Sequence, residues 1–299
     1  MQMAIHSISI IIPSWNSRLI DKIVEAIKAQ LPTDIEAEIL VIGSDIHGLV
    51  VEDGLVRFIA NPDSIGGAND RNIGMREARG DALLFTDHDC LPAPDWIVRH
   101  IHCQRQGMLV VGGAVSFDTR FYLQLADNVS AYYDLLPFTA ALPRLYLSTA
   151  NMSVHRTVIT HVGEMDTQFC RSEDLEWTAR LRHLGYTLYF EPTALVFHDP
   201  PRFTFSSVWR HWTKDAPGTL SVRLRYQQLL RTPALAHYRW VFFWGAPFVA
   251  AWATIRTFSH PQTVASYWYT LPLVYITKIA WCWGAFKSYP DASRGESYV

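Results

Sequence analysis

The chain is short of cysteine, of charge and of any clean membrane-crossing run. Among 299 residues there are four cysteines, Cys90, Cys103, Cys170 and Cys282. They form no C-x-x-C pair and no Cys/His spacing typical of zinc, which excludes a disulfide-stapled scaffold and a zinc module. They read as packing residues in a reducing compartment, so a cytoplasmic protein is expected. Only 18% of residues are charged and the net charge is −2. A nucleic-acid binder presents a strongly basic surface, and no nucleic-acid partner is expected. The opening segment lacks a basic leader, a long apolar run and a small-residue cleavage site, so residues 8–12 read as a strand rather than a signal peptide.

What is abundant is β-branched runs early and tryptophan late, 11 Trp in all. Short runs at 8–12, 38–42, 56–59, 82–86 and 109–115 alternate with helical patterns, the order expected of βαβ units feeding a doubly wound, mostly parallel sheet. Leu19, Ile20, Ile23, Val24 and Ile27 recur at helical spacing and predict a helix with one face on that sheet. A second helix ends at Gly80. Residues 117–147 are irregular and aromatic, which suits an acceptor-facing segment or ordinary connecting structure. Helical patterning returns over 173–184, followed by two short strands at 186–190 and 194–197, with His198 at a strand end.

Open α/β sheets bind ligands beyond the carboxyl ends of their strands. Two polar clusters fall there: Pro13, Ser14, Trp15 and Asn16 after the first strand, and Asp87, His88 and Asp89 after the fourth. Residues i and i+2 of an extended chain share a face, so Asp87 and Asp89 point together, as two hard oxygen ligands for a divalent cation bridging phosphates would. By itself a D-x-D is usually a solvated turn. Glu173-Asp174 opens a helix, where acidic residues ordinarily cap the positive end of the dipole.

The stretch 61–90, NPDSIGGANDRNIGMREARGDALLFTDHDC, resembles the family 2 glycosyltransferases of GT-A fold, in which a Gly-rich turn, an A-R-N-x-G-like helix start, A-x-G, a hydrophobic strand and D-x-D follow in order. The matching positions are Gly66, Gly67, Arg71, Asn72, Gly74, Ala78, Gly80, Asp87 and Asp89. The opening IIIPSWN, Thr149-Ala150-Asn151, the run SEDLEWTARLRHLGY and His198 extend the resemblance over residues 7–200.

The resemblance implies a nucleotide-sugar donor, uridine being the family's usual base, and transfer with inversion. Donor contacts would come from Pro13, Ser14, Asn16, Asp45, Gly67, Arg71, Asn72, Asp87, His88 and Asn151. Asp89 and His198 would hold Mn²⁺ or Mg²⁺, Asp174 would be the general base, and Glu173 would orient the site or acceptor. Two departures stand out. Asp45 is displaced toward the loop from the family's acidic position after the second strand, and His88 sits inside D-x-D as a solvent-facing spacer or a tuner of the metal site.

The implied organisation is a nucleotide-sugar-binding half over 1–118, an acceptor and base half of the same catalytic domain over 119–235, and an apolar, Trp-rich helical region over 236–299. A sugar-1-phosphate nucleotidyltransferase would carry a GxGxRLxPLT-like loop after the first strand, and PSWNSRL lacks it. A non-catalytic nucleotide-binding or scaffold protein is the other alternative; Asp87, Asp89, Asp174 and His198 argue against it. From Arg202 to Arg239 seven Lys or Arg face one acidic residue, Asp215. The uncharged run 240–255 is 16 residues long, below the roughly 20 that span a bilayer, and 264–286 carries Lys278 and Pro272. Interfacial or re-entrant helices at the inner face of a membrane are expected, with a glycan or lipid-linked acceptor. Packing on the catalytic domain, or a homo-oligomer through this region, is the alternative.

Overall fold

In a computed structural model, residues 4–169 and 171–289 are described; Cys170 lies outside them. In chain order the elements are β1 (Ser7–Trp15), α1 (Ile20–Lys28), β2 (Glu36–Ser44), β3 (Val56–Ala60), α2 (Gly67–Glu77), β4 (Ala82–Thr86), β5 (Cys90–Pro92), α3 (Trp96–Arg105), β6 (Val110–Ser116), α4 (Tyr122–Tyr132), β7 (Asn151–His155), α5 (Arg156–Val162), α6 (Glu173–His183), β8 (Tyr189–His198), α7 (Phe205–Arg225), α8 (Val241–Trp244), α9 (Ala246–Thr257), α10 (Pro261–Tyr267) and α11 (Leu271–Lys287). They form two compact units. One is built on residues up to Ser116 together with Ala140–Asp199, the other on Phe117–Thr139 together with the residues from Pro200 onward.

The first unit is an eight-stranded sheet in the order β3-β2-β1-β4-β7-β6-β8-β5. β3, β2, β1 and β4 are parallel neighbours. The sheet turns mixed beyond them, because β7 runs antiparallel to both β4 and β6 and β5 runs antiparallel to β8. Ile8, Ile10, Ile11 and Ile12 of β1 are all buried, as in a central strand covered on both faces. Helix α1 buries Ile20, Ile23, Val24 and Ile27 and leaves Lys22 and Glu25 in water, the ordinary amphipathic arrangement.

Three expectations need correction. The two short strands predicted over 186–197 are one strand, β8. It pairs with β6 on both sides of a register shift at Gly113/Ala114, where Pro192, Thr193 and Ala194 bulge out. The irregular stretch after residue 117 contains the eleven-residue helix α4. Helix α2 stops at Glu77 rather than Gly80. Cys90, Cys103 and Cys282 are buried free thiols.

In the second unit α11 packs against α7, α9 and α4. One cluster joins Ala216, Leu220, Phe242, Cys282 and Ala285, and a second joins Val208, Trp212 and Ala280. A buried polar network runs through it. Asp127 accepts from Trp212 Nε1 at 2.7 Å and from Arg202 Nε at 2.5 Å. Lys278 Nζ donates to the Ser130 carbonyl at 2.9 Å and lies 4.5 Å from the Trp212 ring centre.

Candidate functional site

The carboxyl ends of β1, β2 and β4 are tied into one floor. Gly43, at φ 132°, pairs with Ser14, and a Cβ there would lie 2.1 Å from the Ser14 carbonyl oxygen, so only glycine allows this approach. Asn16 adopts the left-handed region, φ 51°, and its Oδ1 accepts from Ser44 Oγ at 2.9 Å and from the Ile46 amide at 3.1 Å. Ser17 Oγ donates to the His88 carbonyl at 2.8 Å, and His88 Nδ1 meets the Pro13 carbonyl at 3.1 Å. His88 thus fastens the D-x-D turn to the end of β1.

On this floor two buried polar atoms are without a protein hydrogen-bond partner, Ser14 Oγ and Asp45 Oδ1. The other Asp45 oxygen accepts from the Val50 amide at 2.8 Å. Buried polar groups are normally paired. Two orphans at the strand ends where this type of sheet binds ligands mark a place for hydrogen bonds from outside the chain. Trp15, 52% exposed at the end of β1, adds a flat apolar surface beside them.

The centre of the site is Arg71. Its side chain is 4% exposed and lies between two carboxylates far apart in sequence: Nη2 donates to Asp87 Oδ1, and Nη1 donates to Glu173 Oε1 at 2.8 Å. Burial opposes the charge of this guanidinium, yet the fields of Asp87, Glu173 and Asp174 outweigh it and hold it protonated. Burial raises Glu173 well above the usual carboxylate range; Arg71 pulls it down, and Asp174 pushes it up again. One cation among three carboxylates leaves the site net negative, an environment suited to a further cation. Gly67 makes the crossing possible, because a Cβ there would sit 2.6 Å from Arg71 Nη1 and 3.0 Å from Glu173 Oε1.

Asp174 follows in the first turn of α6, partly exposed, with Oδ1 accepting the Leu175 amide at 2.7 Å. Ser172, the residue that caps this helix, takes the left-handed conformation at φ 66°. Non-glycine residues in that region are sparse and gather at functional sites, and both Asn16 and Ser172 border this one.

The pairing of β5 with β8 sets Cys90 opposite His198 and brings Asp89 alongside. His198 Nε2 lies 3.6 Å from Asp89 Oδ2, and Asp89, Cys90 and His198 offer ligand atoms within 4.8 Å of one another. The Cys90 thiol is fully buried, and burial, with Asp89 and Asp87 nearby, pushes it well up. The Asp89 carboxylate and the His198 imidazole are donors of a kind that can hold a divalent cation.

Two expected donor contacts are engaged elsewhere. Asn72 exchanges hydrogen bonds with the Met165 backbone, donating at 2.8 Å and accepting at 2.9 Å, and so anchors the segment before α6. Asn151 is a buried hub: it accepts from Trp96 Nε1 at 2.7 Å and pairs with His100 Nε2 at 2.9 Å, while its amide donates to the Ala114 and Ala194 carbonyls. Asn72 thus ties α2 to the segment before α6, and Asn151 ties α3 to the sheet. Burial lowers His100 to about 4, so it is a neutral member of this hub.

The family model described as glycosyl transferase family 2 matches residues 9–159, and a second, glycosyl transferase family group 2, matches residues 102–283. Among curated relatives, the chain is 25% identical over 294 residues to the glycosyltransferase AglE of Haloferax volcanii, covering 94% of each chain. It is 26% identical over 247 residues to the probable glycosyltransferase YdaM of Bacillus subtilis, covering 73% of this chain and 56% of the relative. Among solved structures, the mannosyltransferase PcManGT of Pyrobaculum calidifontis, in complex with GDP-Man and Mn²⁺, superposes with a TM-score of 0.65 at 16% identity, over 95% of this chain and 87% of that one. GalNAc-T7 with UDP, GalNAc and Mn²⁺ superposes with a TM-score of 0.54 at 15% identity, over 93% and 56%. At these identities the likeness is one of fold, the GT-A arrangement.

Proposed function

Because the chain belongs to glycosyl transferase family 2 and is therefore a glycosyltransferase, we propose that it is an inverting enzyme moving a sugar from a nucleoside-diphosphate sugar to a hydroxyl on a glycan or lipid-linked glycan. The observation that carries this reading is the double ion pair of Arg71, which ties the D-x-D turn to the helix bearing Glu173 and Asp174. Donor-side and acceptor-side carboxylates are thereby held in one rigid cluster. The two solved neighbours carry a nucleotide or nucleotide sugar with Mn²⁺, in line with a nucleotide-sugar donor and a divalent cation here.

Ser14 and Asp45 would receive the nucleoside, with Trp15 offering a face for stacking the base. UDP is the first nucleotide to test. Asp89 and His198 would hold Mn²⁺ or Mg²⁺, and such an ion supplies Lewis-acid stabilisation of the charge on the departing diphosphate. Arg71 fixes the orientation of Asp87 while leaving the turn net negative. Asp174 takes the proton of the acceptor hydroxyl as its oxygen bonds to the anomeric carbon and the bond from that carbon to the diphosphate breaks. A single displacement of this kind inverts the anomeric centre and needs no covalent intermediate. Glu173, locked onto Arg71, positions its neighbour.

A panel of UDP- and GDP-sugars, read by release of nucleoside diphosphate in the presence of Mn²⁺, tests the proposal. One donor is expected to be turned over, slowly to water and faster once a hydroxyl acceptor is supplied. Binding of donors without release from any, with or without acceptors, would overturn it.

A further inference from the structure

Helix α9 is built inside out. Its buried face is small or hydroxylic, Ala250, Thr254 and Thr257, while Phe248, Trp252 and Ile255 stand 80%, 56% and 72% exposed. With 3.6 residues per turn these three fall within about 60° of each other around the helix, and Trp244 at the end of α8 is 74% exposed. A helix resting in water places its large apolar side chains the other way round. The stripe continues into neighbouring rings. Trp240, Phe243 and Trp283 contact Phe286 at 5.2, 4.9 and 6.0 Å between ring centres, and Phe243 contacts Trp244 at 4.8 Å. This is a continuous aromatic surface of the kind that marks an interaction site.

Charge decides what covers it. Between Asp215 and Asp291 the sequence has no acidic residue and seven basic ones. Three of those cations sit on the aromatic patch itself: Arg239 is 4.6 Å from the Phe286 ring centre, Lys287 is 5.7 Å from that of Trp283, and Arg256 is 5.8 Å from that of Trp252. A second copy docking here by two-fold symmetry would set these same cations against each other, with no carboxylate from 216 to 290 to pair them. Anionic headgroups over an apolar interior match both features, with Trp and Tyr at the boundary and Arg and Lys reaching the phosphates. Among the described residues no helix is long and apolar enough to cross a membrane, so the geometry is that of a helix lying in the interface.

We propose that the outward face of α8 and α9, with the rings around Phe286, docks in the plane of an anionic lipid surface. Phe248, Trp252 and Ile255 insert into it, and Arg239, Arg256 and Lys287 engage headgroup phosphates. This docking stands on the patch and its charge; that the acceptor is itself lipid-linked rests in addition on the proposed transfer reaction.

Flotation of the full chain with phosphatidylcholine vesicles, with and without phosphatidylserine, tests it. The wild type is expected to float with the anionic vesicles, less with the neutral ones, and less as salt rises above about 0.1 M, where screening takes hold. Phe248→Glu with Trp252→Glu should lower vesicle partitioning at least about tenfold. Arg256→Gln with Lys287→Gln should remove the preference for phosphatidylserine while leaving the weaker neutral binding. Both pairs lie outside the proposed active site, so nucleoside diphosphate release in vesicle-free solution serves as the folding control. A failed donor panel leaves flotation unaffected, and the two proposals fail separately. A wild type that stays at the bottom of the gradient with anionic vesicles, whether as a monomer or as an oligomer dissolved by Phe248→Glu, would overturn the docking.

Discussion

The two units differ in how many of their tryptophans they bury. In the sheet unit Trp96 and Trp177 are fully buried, and the nitrogen of each indole reaches a partner, Asn151 Oδ1 at 2.7 Å and the Gly163 carbonyl at 3.0 Å. In the helical unit Trp240, Trp244, Trp252 and Trp268 are more than half exposed, although Trp212, Leu220 and Phe242 are buried in its core. The sheet unit obeys the rules of a protein whose only solvent is water. Ser14, Asp45 and the Arg71 cluster are exceptions that lie at the strand ends, where sheets of this type bind ligands. The exposed rings of the helical unit are the surface for which a lipid partner is proposed above. Sorting residues by where each rule fails therefore separates a site for a polar ligand from a surface for an apolar one.

Asp89→Asn should lower sugar transfer by roughly 10²- to 10³-fold with an unchanged thermal unfolding midpoint, because an amide cannot replace a charged ligand. Excess EDTA should abolish transfer, and full activity in EDTA would remove the roles given to Asp89 and His198. Trp177→Ala should destabilise by about 3–5 kcal/mol in a denaturant titration, the usual penalty for deleting a buried indole. Its ring meets Phe85 edge to face at 6.0 Å. Gly67→Ala should cost about 1–3 kcal/mol, since its methyl meets Arg71 and Glu173. It should lower turnover as well; a stability loss with unchanged turnover would show that the Arg71 crossing is structural only. Smallest of all, Phe248→Ser in vesicle-free solution should change stability by no more than about 0.5 kcal/mol, as for a surface position. A loss like that of Trp177→Ala would mean that Phe248 is covered by protein.

Much of the sheet unit was legible from sequence because its strands are β-branched runs and α1 has a clean apolar stripe. The D-x-D and E-D carboxylates and His198 were singled out because their motifs occur in order, and the structure links Asp87 to Glu173 through Arg71 and sets His198 3.6 Å from Asp89. Helices α3 and α4 were missed for a shared reason: α3 buries His100 and Gln104, and α4 buries Gln124, Asp127, Asn128 and Ser130, so the apolar period is broken by polar side chains satisfied inside the protein. Asn72 and Asn151 were read as ligand contacts, and sequence could not show that Asn72 also exchanges two hydrogen bonds with the Met165 backbone or that Asn151 makes four inside the sheet unit. Arg71 was picked out as a donor contact, but its link to Glu173 spans 102 residues, and nothing local in sequence carries it. The inverted pattern of α9 reads in sequence only as apolar on every side, and burial is needed to tell which side faces out.

The most direct test of the account is the kinetics of Asp174→Asn on the donor identified by the panel. If Asp174 is the base, transfer at saturating donor should fall by roughly 10²-fold or more, while the dissociation constant for the nucleoside diphosphate stays within a few-fold of wild type. Weakened nucleotide binding with unchanged turnover at saturation would contradict it, and would show Asp174 to be a cap of α6 that shapes the donor site without taking part in the chemistry.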